Sequence, residues 1–583
     1  MRLLSGTACH WRSVCPYLGH DAAFKPFAAC VNQATPAIVA ERGAQRLPRL
    51  ALLLFCAAYV IPGVFGRDPW RNADLTAYGF MAKIAAGLSP WHHPELGGVT
   101  TDGGLLPYWA GALFIKLLPM LDPALAARIP FALILVGVIA LVWYSSFHFA
   151  RTEAAQPVAF AFGGEAQAVD YARALADGAL LALVASLGLL LLGHETTPEL
   201  LQLLGMALFV YGMAAAPFRP LKARLALLLS LPVLAASAAP AVALMLGVGG
   251  ALICWRSAYE PVRASMLWVV AATALSALLA WALGSWAWRL QALPGADFPL
   301  RVGTLLLWFA WPVWPLALWT LWRWRAYLQR RHVSVPLLAV MVSLLSCLAM
   351  GGSDRALMLG LPALAVLASF ALPTFSRSMS AMLDWFSMFF FSAIALFIWL
   401  YYLSMQTGWP AQPLANVRNL AKGFEPSFHP LALLFALAGT AAWVGLLRWR
   451  TARHRHALWK SMVLPSGGVA LAWLLAMTLW LPVLDYARSH RPLVERLARV
   501  MPADARCVAT PGQALSLVAA LEVQGHWKVD ALRSAADTAC PLLLIQSDDS
   551  SAAAPAAGWQ LLATVKRPTD RTQSYRLYQH EPR

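Results

Sequence analysis

GRDPWRNADLTAYGFMAKIAAGLSPWHHPELGGVTTDGG, residues 66–104, is the stretch from which the rest of the chain is read. Asp68, Arg71, Asp74, Tyr78, Lys83, His92, His93, Glu95 and Asp102 crowd into it, whereas most of the sequence up to residue 486 is apolar. It separates the first two apolar runs, 50–65 and 104–121, which are expected to be the first two spans. So many ionisable groups in one early loop at a membrane edge imply that the loop is used.

The composition settles the class. Hydrophobic residues make up 60% of the 583, charged residues 13%, and the mean hydropathy is +0.60. Soluble domains carry roughly 25% charged residues. Apolar runs of about 20 residues are the length a helix needs to cross a bilayer. The net charge of +17 reads as basic loops facing anionic lipid and implies no nucleic-acid partner. Of the eight cysteines, Cys56, Cys254 and Cys347 lie in apolar runs, while Cys507 and Cys540 share a polar C-terminal region. An extracytoplasmic location for that region implies a disulfide between the last two.

Three domains are expected. Residues 1–46 read as a cytoplasmic leader, largely disordered, without the uninterrupted apolar core of a signal peptide. Residues 47–486 read as the membrane domain, and 487–583 as a small α/β domain ending in a hairpin around Pro568–Asp570. Further spans are expected at 129–149, 175–193, 200–216, 264–284, 302–322, 335–350, 356–372, 385–404, 430–447 and 468–485. Residues 222–255, interrupted by Pro232 and Pro240, read as one net crossing or two; one is preferred. The richest basic loops, 323–332 and 448–460, belong inside. The total is then about 13 helices, with loop 66–104 and the C-terminal domain outside. No internal repeat of the kind found in many transporters is visible.

Within the loop, Asn72 or Asp74 caps a helix expected to run to Ala86. Asp74 and Tyr78 share a face at a spacing of four, and Lys83 follows a turn and a residue later. A carboxylate, a phenol and an ammonium at a membrane surface suit an acceptor and a phosphate; the alternative for Asp74 is a helix cap alone. Tyr78 and Trp91 also fit an interfacial aromatic belt. The adjacent pair His92–His93 has poor spacing for a metal, and no metal or cofactor is assigned.

These residues resemble the GT-C glycosyltransferases of family 39, which include protein O-mannosyltransferases and bacterial aminoarabinose lipid A transferases. The bacterial members carry D-E-x-x-Y-A-x-x-A-R after the first span, against Asp74-Leu-Thr-Ala-Tyr78-Gly-Phe-Met-Ala82-Lys83 here. Their D-K-P-P-L-x-Y-W stretch corresponds to Asp102-Gly-Gly-Leu-Leu-Pro-Tyr108-Trp109. Asp177 matches an acidic residue opening the fourth span, and Arg355 a basic residue before a late proline-containing span. Leu75 and Gly103 depart from the family's Glu and Lys, which leaves the aminoarabinose reaction itself unassigned.

The resemblance implies a bacterial inner-membrane enzyme with its site facing the periplasm. It takes a sugar from a polyprenyl-phosphate donor and gives it to a glycolipid, glycan or protein. Asp74 is the expected catalytic residue, facing acceptor and anomeric carbon. Lys83 and Arg355, with Arg71 in support, neutralise the donor phosphate. Tyr78 and Tyr108 shape the pocket, Asp102 contributes to substrate binding, and Asp177 holds a basic partner or the acceptor, or is only a polar cap. The rival reading is a transporter or flippase of lipid-linked sugars, which predicts charges in mid-span.

Overall fold

The computed structural model describes residues 35–101, 104–286, 298–451, 457–502, 505–548, 558–570 and 573–580. Asp102 and most of the leader lie outside them. The first helix, α1 (Arg49–Val60), leads into the polar loop, where α2 (Ala73–Ala85) is followed by a two-strand turn, β1 (Glu95–Leu96) and β2 (Val99–Thr100). Next come α3 (Leu106–Leu117), α4 (Pro123–Ala150), α5 (Ala168–Ala185), α6 (Leu187–Leu192), α7 (Pro198–Ala215), α8 (Pro220–Ala236) and α9 (Pro240–Arg256).

The second half continues with α10 (Glu260–Ala264), α11 (Met266–Ala282), α12 (Phe298–Phe309), α13 (Val313–Arg323), α14 (Arg331–Ala349), α15 (Asp354–Met358) and α16 (Leu361–Ser369). Then follow α17 (Arg377–Thr407), α18 (Ala411–Leu420), α19 (Pro430–Thr451), α20 (Lys460–Thr478), α21 (Leu481–Arg488) and α22 (Arg491–Val500). Among the described residues eight helical stretches are long and apolar enough to cross a membrane, or nine if the α12–α13 pair, bent by 92°, is one span. The chain is a multi-pass membrane protein.

Two expected spans come out differently. The apolar run 104–121 forms α3, and both ends of α3 lie on one face. Arg128, in the second turn of α4, donates to the carbonyl of Val64 just past α1 at 3.5 Å, so α4 starts where α1 ends. Trp109 and Lys116 of α3 both meet Trp91 of the polar loop, by a 2.7 Å indole hydrogen bond to its carbonyl and a cation–π contact at 5.4 Å. Twelve residues of helix reach about 18 Å, short of the roughly 30 Å hydrocarbon core. Residues 222–255, conversely, form two helices, α8 and α9. Pro240 opens α9, where its missing N–H costs nothing. Gln202, early in α7, donates to the carbonyl of Ser237 in the connecting turn at 2.6 Å. That turn therefore lies on the α3 side.

The C-terminal region contains α23 (Leu515–Ala519) and five more strands: β3 (Cys507–Ala509), β4 (Lys528–Asp530), β5 (Leu542–Asp548), β6 (Trp559–Lys566) and β7 (Gln573–His580). The sheet order is β4-β3-β5-β7-β6; β4, β3 and β5 run parallel, and β6–β7 is the expected antiparallel hairpin. A disulfide joins Cys507 and Cys540. This small sheet region rests on the polar loop. A Cβ on Gly79 of α2 would lie 2.7 Å from the Ala519 Cβ on α23, so only glycine permits that approach. The Ala531 amide donates to the Gly97 carbonyl at 3.0 Å, and Lys83 meets both oxygens of Glu522 at 3.0 and 2.9 Å.

Candidate functional site

The segment 67–74 is wound tightly before α2. Asn72 sits at φ 75° and ψ −133°, a backbone state that costs a non-glycine residue of order 1–3 kcal/mol. That turn brings Asp74, at the start of α2, back under its own upstream strand. The Asp74 carboxylate accepts from the Trp70 amide at 3.0 Å, from the Thr196 amide and hydroxyl at 2.8 Å each, and from Arg67 Nη2 at 3.3 Å. Neither Asn72 nor Asp74 closes the start of α2 with its side chain; Asp74 instead reaches back to Trp70 and across to the turn between α6 and α7. The Arg67 and Asp74 side chains are both fully buried. Burial pulls the Asp74 carboxyl upward, yet the Arg67 and Arg128 cations and the backbone donors outweigh it. The group is held below the usual carboxylate range.

The positive charge is not used up by this pairing. Arg67 Nη2 also donates to the His194 carbonyl at 2.8 Å, while its Nε and Nη1 have no partner among the described residues. The same is true of Nε and Nη2 of buried Arg128. Two guanidinium groups thus share the Asp74 carboxylate, with Asp485 and Asp68 also acting on Arg128, and four of their buried nitrogens have no hydrogen-bond partner among the described residues. Such donors are costly when left without an acceptor, and an anionic oxygen supplies one.

Beside them, Arg355 binds Glu195 at 2.5 Å, Thr197 Oγ1 at 3.2 Å and Glu199 at 3.4 Å. Burial, with Asp74 nearby, pushes the Glu195 carboxyl up to about 7 against the pull of Arg355. Two buried carboxylates with opposite displacements, Asp74 down and Glu195 up, are the pattern that separates an ionised group from a proton carrier. A cavity of about 330 Å³ starts at Arg355 and Glu199 and runs between apolar side chains including Val242, Met245 and Leu345.

Trp70 ties this centre to the C-terminal part. Its ring lies between the guanidinium groups of Arg67 at 4.7 Å and Arg488 at 5.0 Å, and its indole N–H donates to Asp485 at 2.9 Å. Asp485 also accepts from the Asp68 amide at 3.0 Å. Asp68 makes a two-point ion pair with Arg491, both contacts at 2.7 Å. Asp68, Asp485, Ser489 and Arg491 help line a second, open cavity of about 560 Å³.

The residues singled out in the sequence divide by position. Asp74 and Arg355 lie at the centre, linked through Glu195. Tyr78 is buried one turn along α2. Tyr108 packs against Phe80 at 5.1 Å, and Arg71 is exposed, its amide bonded to the Arg488 carbonyl at 2.9 Å. Lys83 is occupied by Glu522. Asp177 is remote: it accepts from the Trp143 indole at 2.8 Å and the Leu47 amide at 3.0 Å. Trp143 lies about 22 Å along α4 from Arg128 at 1.5 Å per residue. Sequence reasoning passed over Arg67, Arg128 and Glu195. Arginine near the start of an apolar helix and Glu in a short turn were the available signals.

No protein-family model and no curated protein sequence matches the chain. Solved structures do match in fold, among them two of ArnT. ArnT from Cupriavidus metallidurans bound to undecaprenyl phosphate superposes with a TM-score of 0.57 at 14% identity, covering 91% of this chain and 97% of that one. The fold is ArnT-like. The apo state of the same ArnT gives a TM-score of 0.54 at 15% identity, over 90% and 97% of the two chains. This supports the GT-C type of architecture expected from the residues of loop 66–104. At this identity the ArnT likeness speaks to the fold alone.

Proposed function

We propose that this protein is an integral-membrane glycosyltransferase that takes a sugar from a polyprenyl-phosphate donor. The acceptor binds on the membrane face that carries loop 66–104. The observation that carries the reading is the buried pair Arg67–Arg128, with four unmatched nitrogens around one ionised carboxylate. A polyprenyl-phosphate sugar needs cations for its phosphate and an apolar channel for its tail. The apolar cavity beginning at Arg355 offers the second, and a solved protein of the same fold holds undecaprenyl phosphate.

In the reaction the anomeric C–O bond to phosphate breaks and the electron pair leaves with the phosphate, which the guanidinium groups stabilise as its charge grows. A new bond forms from an acceptor oxygen to the anomeric carbon. Glu195 takes the acceptor proton, its raised pKa suiting a base near neutral pH. Asp74 holds Arg67 and the Thr196 turn in place and faces the developing positive charge of the sugar. Tyr78 and Tyr108 wall the pocket, Arg71 borders its entrance, and Asp102 contributes to substrate binding. Inversion at the anomeric carbon, membership of family 39, an inner-membrane location with 13 crossings and a periplasmic site belong to the same proposal. The acceptor is a lipid A-like glycolipid, a glycan or a protein.

The test is transfer in membrane vesicles. Radiolabelled polyprenyl-phosphate sugars are supplied to vesicles carrying wild type or Asp74→Asn, and label is followed into lipid and protein fractions. Label moved by wild type and lost in the variant is expected. Equal labelling in both removes Asp74 from the mechanism, and no transfer from any donor by well-inserted wild type overturns the enzyme reading.

A further inference from the structure

A second concentration of unmatched positive charge lies at the other end of α7. That helix starts beside Thr197, at the Asp74 centre, and its last carbonyls, those of Met213 and Ala214, accept from Arg331 Nη2 at 3.0 and 3.1 Å. At 1.5 Å per residue the two ends of α7 are about 25 Å apart. The Arg331 cluster therefore sits at the opposite membrane face. Its guanidinium lies over the rings of Tyr259 at 5.6 Å and Phe149 at 6.0 Å. Arg331 is 6% exposed, and its Nε and Nη1 have no partner among the described residues.

His148, near the end of α4, adjoins it. The ring stacks on Phe218 at 5.5 Å and 16°. His148 is 4% exposed, its Nδ1 has no partner among the described residues, and Arg151, Arg219 and Arg331 all act on it electrostatically. The Arg151 guanidinium covers the other ring contacts, 4.5 Å from Phe218 and 5.4 Å from Phe147. Among the described residues no carboxylate pairs with any of these arginines; Glu153, two residues from Arg151, and Glu260, next to Tyr259, are exposed. Arg331, Arg219 and Arg330 also crowd helix starts. Arg219 is the N-cap of α8 and Arg330 that of α14, and neither side chain closes a backbone N–H. Helix starts carry positive partial charge and favour Ser, Thr, Asp or Asn at the cap. Arginine there adds like charge to like.

Basic loops that merely set topology keep their charges in water. Here Arg331 and His148 are buried, aromatic faces fix the cations in place, and two helix starts add positive partial charge. We propose that this cluster binds a phosphate-bearing anion at the membrane face opposite Asp74. The same chemistry is presented by an anionic phospholipid headgroup and by free inorganic phosphate.

The full chain, purified in a neutral detergent, separates these. Native mass spectrometry measures binding of phosphatidylglycerol against phosphatidylcholine. Thermal unfolding is followed with inorganic phosphate against chloride at equal ionic strength. The variants are Arg331→Gln and His148→Phe/Arg151→Gln. The second keeps the stack on Phe218 and leaves the α7 cap intact should Arg331→Gln fail to fold. Arg323→Gln/Arg325→Gln, exposed residues of the same basic loop, is the control. A phosphatidylglycerol preference of at least about tenfold, the worth of one charge-assisted hydrogen bond, retained in the control and lost in the cluster variants, identifies a headgroup. A phosphate-specific stabilisation lost in the same variants, without lipid preference, identifies the free anion. No response to either probe, a response that survives His148→Phe/Arg151→Gln, or one that the control abolishes equally overturns the proposal. Transfer activity plays no part in the readout.

Discussion

Replacing Asp74 by Asn changes one atom, yet it should be among the most damaging substitutions in the chain. The carboxylate accepts four hydrogen bonds, from Trp70, Thr196 twice and Arg67, in a fully buried setting. An amide turns one acceptor into a donor facing N–H groups and leaves Arg67 as an uncompensated buried cation. Removing one partner of a buried ion pair costs about 3–5 kcal/mol. Removing both charges costs less, because Arg67 is then not stranded and only Arg128 loses its carboxylate. Arg67→Gln/Asp74→Asn should therefore be no less stable than the worse single variant, a coupling of about 2–3 kcal/mol. Unfolding in mixed micelles of rising sodium dodecyl sulfate content, read by tryptophan fluorescence, gives the cycle. The carboxyl is held below its ordinary value. Its contribution is thus complete above the unfolded pKa of about 3.9 and is lost as pH falls through the folded value. The penalty of Asp74→Asn should accordingly shrink in acid. Additive losses in the double variant, or a penalty unchanged in acid, would refute the electrostatic account.

Glu195, pushed up to about 7, should give a transfer rate that rises with pH through that value, and Glu195→Gln should flatten the profile along with lowering the rate. Lys83→Met or Glu522→Gln should each loosen the C-terminal domain by about 2 kcal/mol, since the two side chains are only 14% and 10% exposed and each strands the other. The swap Lys83→Glu/Glu522→Lys should restore resistance to limited proteolysis; failure of the swap together with loss of transfer would return Lys83 to a role at the phosphate. Reducing the Cys507–Cys540 bond, which closes a separation of 33 residues, should cost that domain about 3–4 kcal/mol in the loop-entropy picture, measured by hydrogen exchange before and after reductant.

The architecture was legible in the sequence because lipid allows few solutions. Long apolar runs and basic loops leave little freedom, and the alternation near the C-terminus marked the β6–β7 hairpin. The misreadings share a cause. Residues 104–121 have the composition of a span, but Pro107 and Pro119 and contacts to Trp91 keep α3 at the surface. Residues 222–255 have the length of one long crossing, and only the turn at 237–239 makes them two. Hydropathy reports solvent preference, not direction. The centre was half legible for a similar reason. Asp74 stands in a polar loop where a carboxylate attracts notice. Arg67 sits one residue into that loop and Arg128 just inside a helix, where an arginine reads as an ordinary topological signal. Their importance comes from being buried without acceptors, which depends on α4 and the 194–197 turn closing over them.

The bond from Trp70 to Asp485 spans 415 residues of sequence and the one from Asp68 to Arg491 spans 423. Contacts so distant in sequence form late. During synthesis the loop at 66–104 emerges long before its partners exist, and for most of the translation time Asp68 and Trp70 are without Arg491 and Asp485. The centre is completed only when α21 and α22 emerge, after the last membrane helix. A truncated or stalled product would thus insert nearly all its spans and still lack the contacts that Trp70 and Asp68 make to Asp485 and Arg491.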